Sequence, residues 1–443
     1  MGCFCFISYK SWNMNLLQDG YVVDVPYPTF VHRQAMPGWL SNLVQLQGNQ
    51  APDLTKPYRY LELGCAMGIH LHLTAASNPL GIFLGVDFNA QQLMVAEEGL
   101  KTTKIDNLEF IHASFYELLQ QDLEPFDFIV THGVWSWISA ENQKIMLELI
   151  NKFLKPGGIV YCSYMSHPGA TELSSIQKLM FEVSRNLQGD SATKAVQSLS
   201  LVRNIAKSHM GLFEKIPHLT QTLTELAQDK PNYIAHDFLS EHWEPQHSAD
   251  MIRAFGDFDM SFITGAGIAE YLDQLNLPLD IRKIIKSLPL ITMQETVRDI
   301  ALYTLQRQDV YVKSRQRLSP VQQQQYLERA MFGNLPQAPV GKSLKNDTKI
   351  GKIHDAVPVF EQILSLLAQQ HLTLSQLLAQ LSPKISAMQL KDIILVLMWA
   401  GYIHPINPTP NAPYITATNQ WMQQQQLPWQ SLATFGTAID IQS

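Results

Sequence analysis

The stretch "RYLELGCAMGIHLHL", Arg59 to Leu73, runs from an apolar segment through a glycine turn into a second apolar segment, and "GIFLGVDF" that follows closes on an acid. A strand that turns on glycine into a helix lets backbone approach a ligand at the helix N-terminus. A dinucleotide fingerprint spaces its glycines as GxGxxG so that the chain can close on a pyrophosphate. Here Gly64-Cys65-Ala66-Met67-Gly68 lacks the middle and last glycines of that pattern. A nucleoside cofactor without phosphates does not need them, and S-adenosylmethionine is one: an adenosine joined through a sulfonium to a zwitterionic amino acid. Glu62 then faces the ligand's cationic side, Gly64, Ala66 and Gly68 form the turn, and Asp87 accepts hydrogen bonds from both ribose hydroxyls, followed by Phe88.

A second chemistry-bearing stretch is "THGVWSW", residues 131–137. Methyl transfer is an in-line displacement, so the protein's task is to hold nucleophile, methyl and sulfur in line. Trp135 and Trp137 offer aromatic walls for a lysine side chain, attracting its charge through the ring faces. An apolar surround depresses a lysine pKa and so favours the neutral amine that must attack. His132 is placed to take up the proton or to bond to backbone, beside Gly133. Tryptophans after a strand also serve as packing anchors, because they bury so much area. His70, His72 and His112 have no cysteine or carboxylate partners at metal spacing and read as structural or incidental; no metal site is expected.

These residues need a frame. "RYLELG", "GIFLGVDF", "LEFIHAS", "FDFIVTHG" and "IVYCSYM" read as short buried strands, alternating with the helical patterns "AQQLMVAEEGLKT" and "AENQKIMLELINKFLKPGG". Ser139 caps the latter and Pro156-Gly157-Gly158 stops it. Strands buried on both faces with helices between them imply an α/β fold with a Rossmann-like, doubly wound parallel sheet. Ligands bind such sheets at the carboxyl ends of the strands, where the residues named above fall.

With 443 residues, 46% of them hydrophobic, the chain can fill more than one core. A formal charge of −7 argues against nucleic-acid binding, which relies on a basic surface. Four cysteines without framework spacing suit a reducing cytoplasm. No apolar run approaches the roughly 20 residues of a membrane-spanning helix, so no stable membrane insertion is expected. Residues 1–20 read as a disordered or mis-assigned start: the apolar run has no basic region before it and no cleavage site after it, Phe6 breaks a myristoylation pattern, and Met14 is an alternative start.

The sequence resembles class I S-adenosylmethionine-dependent methyltransferases, and within them the branch with a methyltransferase regulatory domain that includes the rickettsial outer-membrane-protein lysine methyltransferases. The resemblance is carried by "VPYPTF" (25–30), "LELGCAMG", "LGVDFNAQQL", "THGVWSW", "LKPGGIVYCSYMSHPG" (154–169), "YIAHDFLSEHWEP" (233–245) and "RDIALYTLQRQDVY" (298–311), and covers roughly residues 21 to 318. It implies lysine N-methylation of a protein substrate, such as a surface or outer-membrane protein before export, and an arm in which Tyr27 covers the methionine end of the cofactor. Three departures stand out: Ala66 where many relatives have Gly, Ser114 followed by Phe115 where an aspartate usually meets the adenine amino group, and "SYMSHPGA" where relatives often read Ser-Tyr-Asn-Thr with a Pro-Gly-Trp end. Serine accepts a hydrogen bond more weakly than a carboxylate.

The implied organisation is a catalytic domain at 21–170, a helical insert at 171–230 that the resemblance connects with pairing of two copies as a homodimer, and a mostly helical middle or regulatory domain at 231–318. A linker at 319–352 and a small winged-helix-like domain at 353–443 follow. His236 and His242 are not spaced for one helix face and read as capping or substrate-contact residues. Two other functions stay open at this point. One is a cofactor-binding regulatory protein without transfer activity, and the other is a small-molecule methyltransferase.

Overall fold

The computed structural model describes residues 17–268, 272–341, 347–348, 351–352 and 357–442. Its centre is a seven-stranded sheet: β1 (Tyr58–Leu63), β2 (Gly81–Asp87), β3 (Leu108–His112), β4 (Phe126–Thr131), β5 (Leu154–Met165), β6 (Met260–Gly265) and β7 (Gln306–Lys313), in the order β3-β2-β1-β4-β5-β7-β6. The first five are parallel to their neighbours, with Leu61 opposite Leu84 and Ile129. β7 lies antiparallel to β5, with Tyr311 opposite Val160, and β6 antiparallel to β7. The five strands read from sequence are present. Two more join them from the segment read as a middle domain, so a fragment ending at residue 170 lacks the edge of its own sheet.

Burial on both faces explains the parallel core. Tyr60, Phe128 and Tyr161 point into one apolar layer, and Leu61, Ile129 and Val160 into the other. The first layer is closed by helix α1 (Pro37–Leu46) and by C-terminal helices; the second holds Leu149, Ile150 and Phe153 of α5 (Ala140–Phe153), capped by Ser139 as expected. Between them in sequence lie α2 (Ile69–Ser77), α3 (Ala90–Thr103) and α4 (Phe115–Leu119). α2 is buried along its whole length. Its outer side is covered by the C-terminal region, where Trp421 packs on His72 (4.6 Å between ring centres) and Asn78 Nδ2 donates to the Gly436 carbonyl at 2.9 Å.

The helical insert contains α6 (Ser174–Ser184) and α7 (Ser191–Ala206), followed by α8 (Pro231–Phe238), which carries the "YIAHDF" signature. Together with Trp137, Val22 and Val25 these helices form a separate apolar cluster. The N-terminal arm is thereby tied down: Leu17–Gln18 pairs with Tyr21–Val22, Asp24 Oδ2 accepts from Ser191 N at 2.8 Å, and His236 Nε2 bonds the Val25 carbonyl at 3.0 Å. The expectation for residues 1–16 lies outside the described residues.

α9 (Ser248–Gly256) and α10 (Ile291–Leu302) flank β6 and β7 and meet at a buried charged network. The segment read as a linker contains α11 (Pro320–Arg329) and strand β8 (Met331–Asn334). Its glutamine-rich sequence has no apolar stripe, but Ser319 and Gln322 form a capping box and Pro320 starts the helix. Beyond it come the expected three helices, α12 (Val357–Leu367), α13 (Leu374–Gln380) and α14 (Ala387–Trp399), with strands β9 (Leu372–Thr373) and β10 (Ile403–Pro405). β8 is the central strand between β9 and β10. A winged helix would pair the strand after its third helix with the strand that follows; here β10 pairs with β8, which precedes all three helices.

Candidate active site

The turn after β1 is shaped by steric necessity. Gly64 has φ +77°, and a Cβ there would stand 2.5 Å from Val134 Cγ2; Gly68, at φ +67°, would strike Phe110 Cζ at 2.5 Å. Ala66 also has positive φ, +48°. A residue with a Cβ is strained in this left-handed region, whereas glycine is free there but loses more entropy on folding. We therefore expect Ala66→Gly to stabilise the fold by about 0.5–1 kcal/mol, seen as a higher urea midpoint. A lower midpoint would contradict this account of the turn.

Asp87 ends β2 and holds that turn: its Oδ2 accepts from Ala66 N and its Oδ1 from Asn89 N, both at 2.8 Å. Burial raises its pKa, opposed by these two backbone donors and by His112. Each carboxylate oxygen still has acceptor capacity for a ligand hydroxyl. Glu62, at the end of β1, is buried with Oε2 lacking a partner, and burial together with Asp87 raises its pKa to about 8. A buried carboxyl with an unmet oxygen suits a cationic ligand, which would favour the ionised form.

One cleft of about 1270 Å³, measured out to its mouth, opens at the carboxyl ends of the strands. Glu62, Gly64, Ala66, Asp87, Phe88, Ser114, Phe115, His132, Gly133, Tyr27 and Trp137 all line it. The Tyr27 hydroxyl stands 3.8 Å from where a Gly133 Cβ would be, so the arm does reach over the fourth-strand loop. Two expected residues are elsewhere. Gly68 is used for packing, and Trp135 sits in the core beneath the sheet against Phe255, 5.8 Å between ring centres. The idea that both tryptophans wall the acceptor channel is thus corrected: alternate residues of the short 3-10 turn Trp135–Trp137 point in different directions.

Ser114 lines the cleft, but its hydroxyl caps α4, accepting from Glu117 N at 3.2 Å and donating to Glu117 Oε2 at 2.8 Å. It keeps at most one free lone pair for an adenine amino group. His132 bonds the Tyr161 hydroxyl through Nδ1 at 2.7 Å and stacks on His32, 3.3 Å between ring centres. Burial, with His32 and His70 nearby, lowers its pKa. A neutral imidazole so disfavoured as a cation is a poor acceptor for an ammonium proton. His32, His70 and Tyr21 join the cleft without having been identified as site residues. Burial lowers the His32 pKa to about 4, and burial followed by His32 lowers that of His70 to about 3. His70 is thus corrected from a structural or incidental residue to one that lines the cleft, while nothing in the local sequence distinguished His32 and Tyr21, since the arm that carries them reaches the site only through long-range packing. Among the described residues no group of three histidine, cysteine or acidic side chains is arranged to hold a metal.

If Asp87 accepts the ribose hydroxyls, Asp87→Ala removes a charged hydrogen-bond acceptor worth about 1.5–3 kcal/mol, tenfold or more in affinity. Calorimetry with S-adenosylhomocysteine should record that loss. An unchanged dissociation constant would exclude the assignment.

The methyltransferase-domain family matches residues 54–238, and the family described as a predicted methyltransferase regulatory domain matches residues 230–313, the stretch that supplies β6 and β7. The uncharacterized protein sll1526 of Synechocystis is 28% identical over 402 residues, 90% of this chain and 78% of that protein. The uncharacterized protein RP028 of Rickettsia prowazekii is 31% identical over 219 residues, 49% of this chain and 86% of that protein. Among solved structures, PKMT2 from Rickettsia typhi in complex with AdoHcy shares the fold, with TM-score 0.65 at 21% identity over 86% of this chain and 77% of that one. Joined to the glycine turn, the second-strand acid and the seven-stranded sheet, these matches show that the chain belongs to the S-adenosylmethionine-dependent methyltransferases that couple a methyltransferase domain to a methyltransferase regulatory domain.

Proposed function

We propose that this protein transfers a methyl group from S-adenosylmethionine to the side-chain nitrogen of lysine in a protein substrate. The observation that carries the reading is the composition of the cleft's lining: Tyr21, Tyr27, Phe30 and Trp137 give it aromatic walls, and Asp19 adds a carboxylate. An aromatic ring with a carboxylate at its edge suits an alkyl stem ending in an ammonium. The sequence resemblance to the rickettsial protein lysine methyltransferases supports the same acceptor.

The donor contributes a methyl group on a sulfonium, made electrophilic by the positive charge. Glu62 faces that charge, Asp87 holds the ribose, and the loops carrying Phe88 and Phe115 enclose the base. The arm at 19–32 excludes water from the reacting end, and a protein substrate contributes remote binding energy that fixes its lysine in line. The acceptor would be met in the cytoplasm, in keeping with free, buried Cys65 and Cys162.

A lysate separated by gel filtration into a protein fraction and a small-molecule fraction tests the reading when each is incubated with enzyme and methyl-labelled donor. Label is expected in the protein fraction. Label confined to the small molecules would replace the protein reading with a metabolite one.

A further inference from the structure

The signature "YIAHDFLSEHWEP" contains an acid that the donor site does not use. Asp237 lies one residue from the end of α8, where the exposed carbonyls make the helix end negative. No cation is paired with it among the described residues; its side-chain partner is the Tyr233 hydroxyl, and Asp229 adds repulsion. Its backbone carbonyl accepts from Trp137 Nε1 at 3.3 Å, which places the residue just behind a wall of the cleft. On the arm side, the ring of its neighbour His236 packs against Tyr21 (5.3 Å) and Tyr27 (5.1 Å), both of which line the cleft. The ring of Tyr233, whose hydroxyl bonds the carboxylate, packs on Phe30 of the cleft lining at 6.1 Å. Burial raises the pKa of Tyr21 and Tyr27, and Asp237 adds to the rise at both.

An acid at the wrong end of a helix, half-buried and without a counter-ion, costs the free protein stability. Such an arrangement is expected where function requires it, and a bound ammonium would supply the missing charge. Deepening the lysine reading, on which it rests, we propose that Asp237 is the seat of the acceptor amine and takes its proton, with Tyr21 and Tyr27 lining the approach. The lysine ammonium gives one proton to the Asp237 carboxylate. The freed nitrogen lone pair forms the N–C bond as the methyl–sulfur bond breaks, its electron pair staying on sulfur. The products are the methylated ammonium and the thioether, and the proton on Asp237 leaves to solvent.

Burial raises the Asp237 pKa to about 7, the Tyr233 hydrogen bond opposing and Asp229 adding to the rise. The facing titratable groups are Tyr233 on the same helix, Asp229 before it, and Tyr21 and Tyr27 on the arm. An acid whose folded pKa lies above its unfolded value favours the fold while protonated, so that stability is lost as pH rises from about 4 through 7. Asn keeps an acceptor for Tyr233 but cannot ionise. Asp237→Asn should therefore melt higher than the parent at pH 8, with the gap closing toward pH 4, whereas an acid serving only structure would give a lower melting temperature on replacement.

Measurements on the full chain decide the matter. Asp237→Asn should lower methyl transfer about 10²–10⁴-fold and abolish the limb of the rate profile that rises through pH 7, while leaving S-adenosylhomocysteine affinity unchanged. Saturation-transfer NMR with Nα-acetyl-lysine methylamide should show binding to the parent saturated with S-adenosylhomocysteine, loss in Asp237→Asn, and partial return in Asp237→Glu. Wild-type transfer with an unchanged pH profile in Asp237→Asn, or a lower melting temperature at pH 8, overturns the proposal and leaves the lysine reading standing. Conversely, if the parent methylates no protein but the lysine probe binds and depends on Asp237, the amine seat stands and the protein-substrate reading falls.

Discussion

Arg307→Met will destabilise the protein by about 3–5 kcal/mol, because it leaves three buried carboxylates without their shared cation. The Arg307 guanidinium donates to Asp309 Oδ1 at 3.0 Å, Asp299 Oδ1 at 2.6 Å and Glu295 Oε2 at 2.9 Å, and all four residues are buried. Arg298 binds the other Glu295 oxygen and bridges to Asp273, while Tyr164 of β5 donates to Asp309 at 2.6 Å. The network therefore bolts α10 to β7 and β7 to the parallel part of the sheet. Replacing a whole buried charged set by well-packed apolar residues is often neutral or stabilising; removal of one member is the costly step. Urea unfolding followed by tryptophan fluorescence checks the figure. A loss below about 1 kcal/mol would mean that water or a neighbouring cation replaces Arg307 readily.

Trp135→Ala is expected to lower stability by a similar 3–5 kcal/mol, with donor affinity measured at low temperature little changed. The side chain is buried against Phe255 in the apolar cluster that also holds Leu149, Phe153 and Tyr311, and it does not line the cleft. Trp135→Phe, which keeps most of the volume, should retain most activity. Trp137→Phe should not, since it removes both a wall of the cleft and the indole donor to the Asp237 carbonyl. Calorimetric melting and methyl transfer measured on the three variants separate the roles; loss of transfer in a stable Trp135→Phe would return that residue to the site.

Much of the donor end was legible because its signals are local. Glu62, Gly64, Ala66 and Asp87 stand at strand ends marked by apolar runs and glycine, and they meet in one cleft because parallel strands bring their carboxyl ends together. Trp135 and Trp137 could not be told apart by spacing, since a short 3-10 turn has no fixed relation to the sheet beneath it. β7 was hidden for another reason: "QRQDVYVK" looks half-exposed, and its Arg307 and Asp309 are interior only because Glu295 and Asp299 arrive from α10 to pair them. The same holds for Tyr21 and His32, whose place over the cleft depends on Ser191 and His236 far along the chain.

Acid and enzymatic hydrolysis of protein labelled by the full-length enzyme and methyl-labelled donor tests the central claim most directly. The account predicts that the label is recovered as ε-N-methylated lysine. Recovery as a base-labile methyl ester, as methylated arginine or histidine, or solely in a small molecule would contradict it.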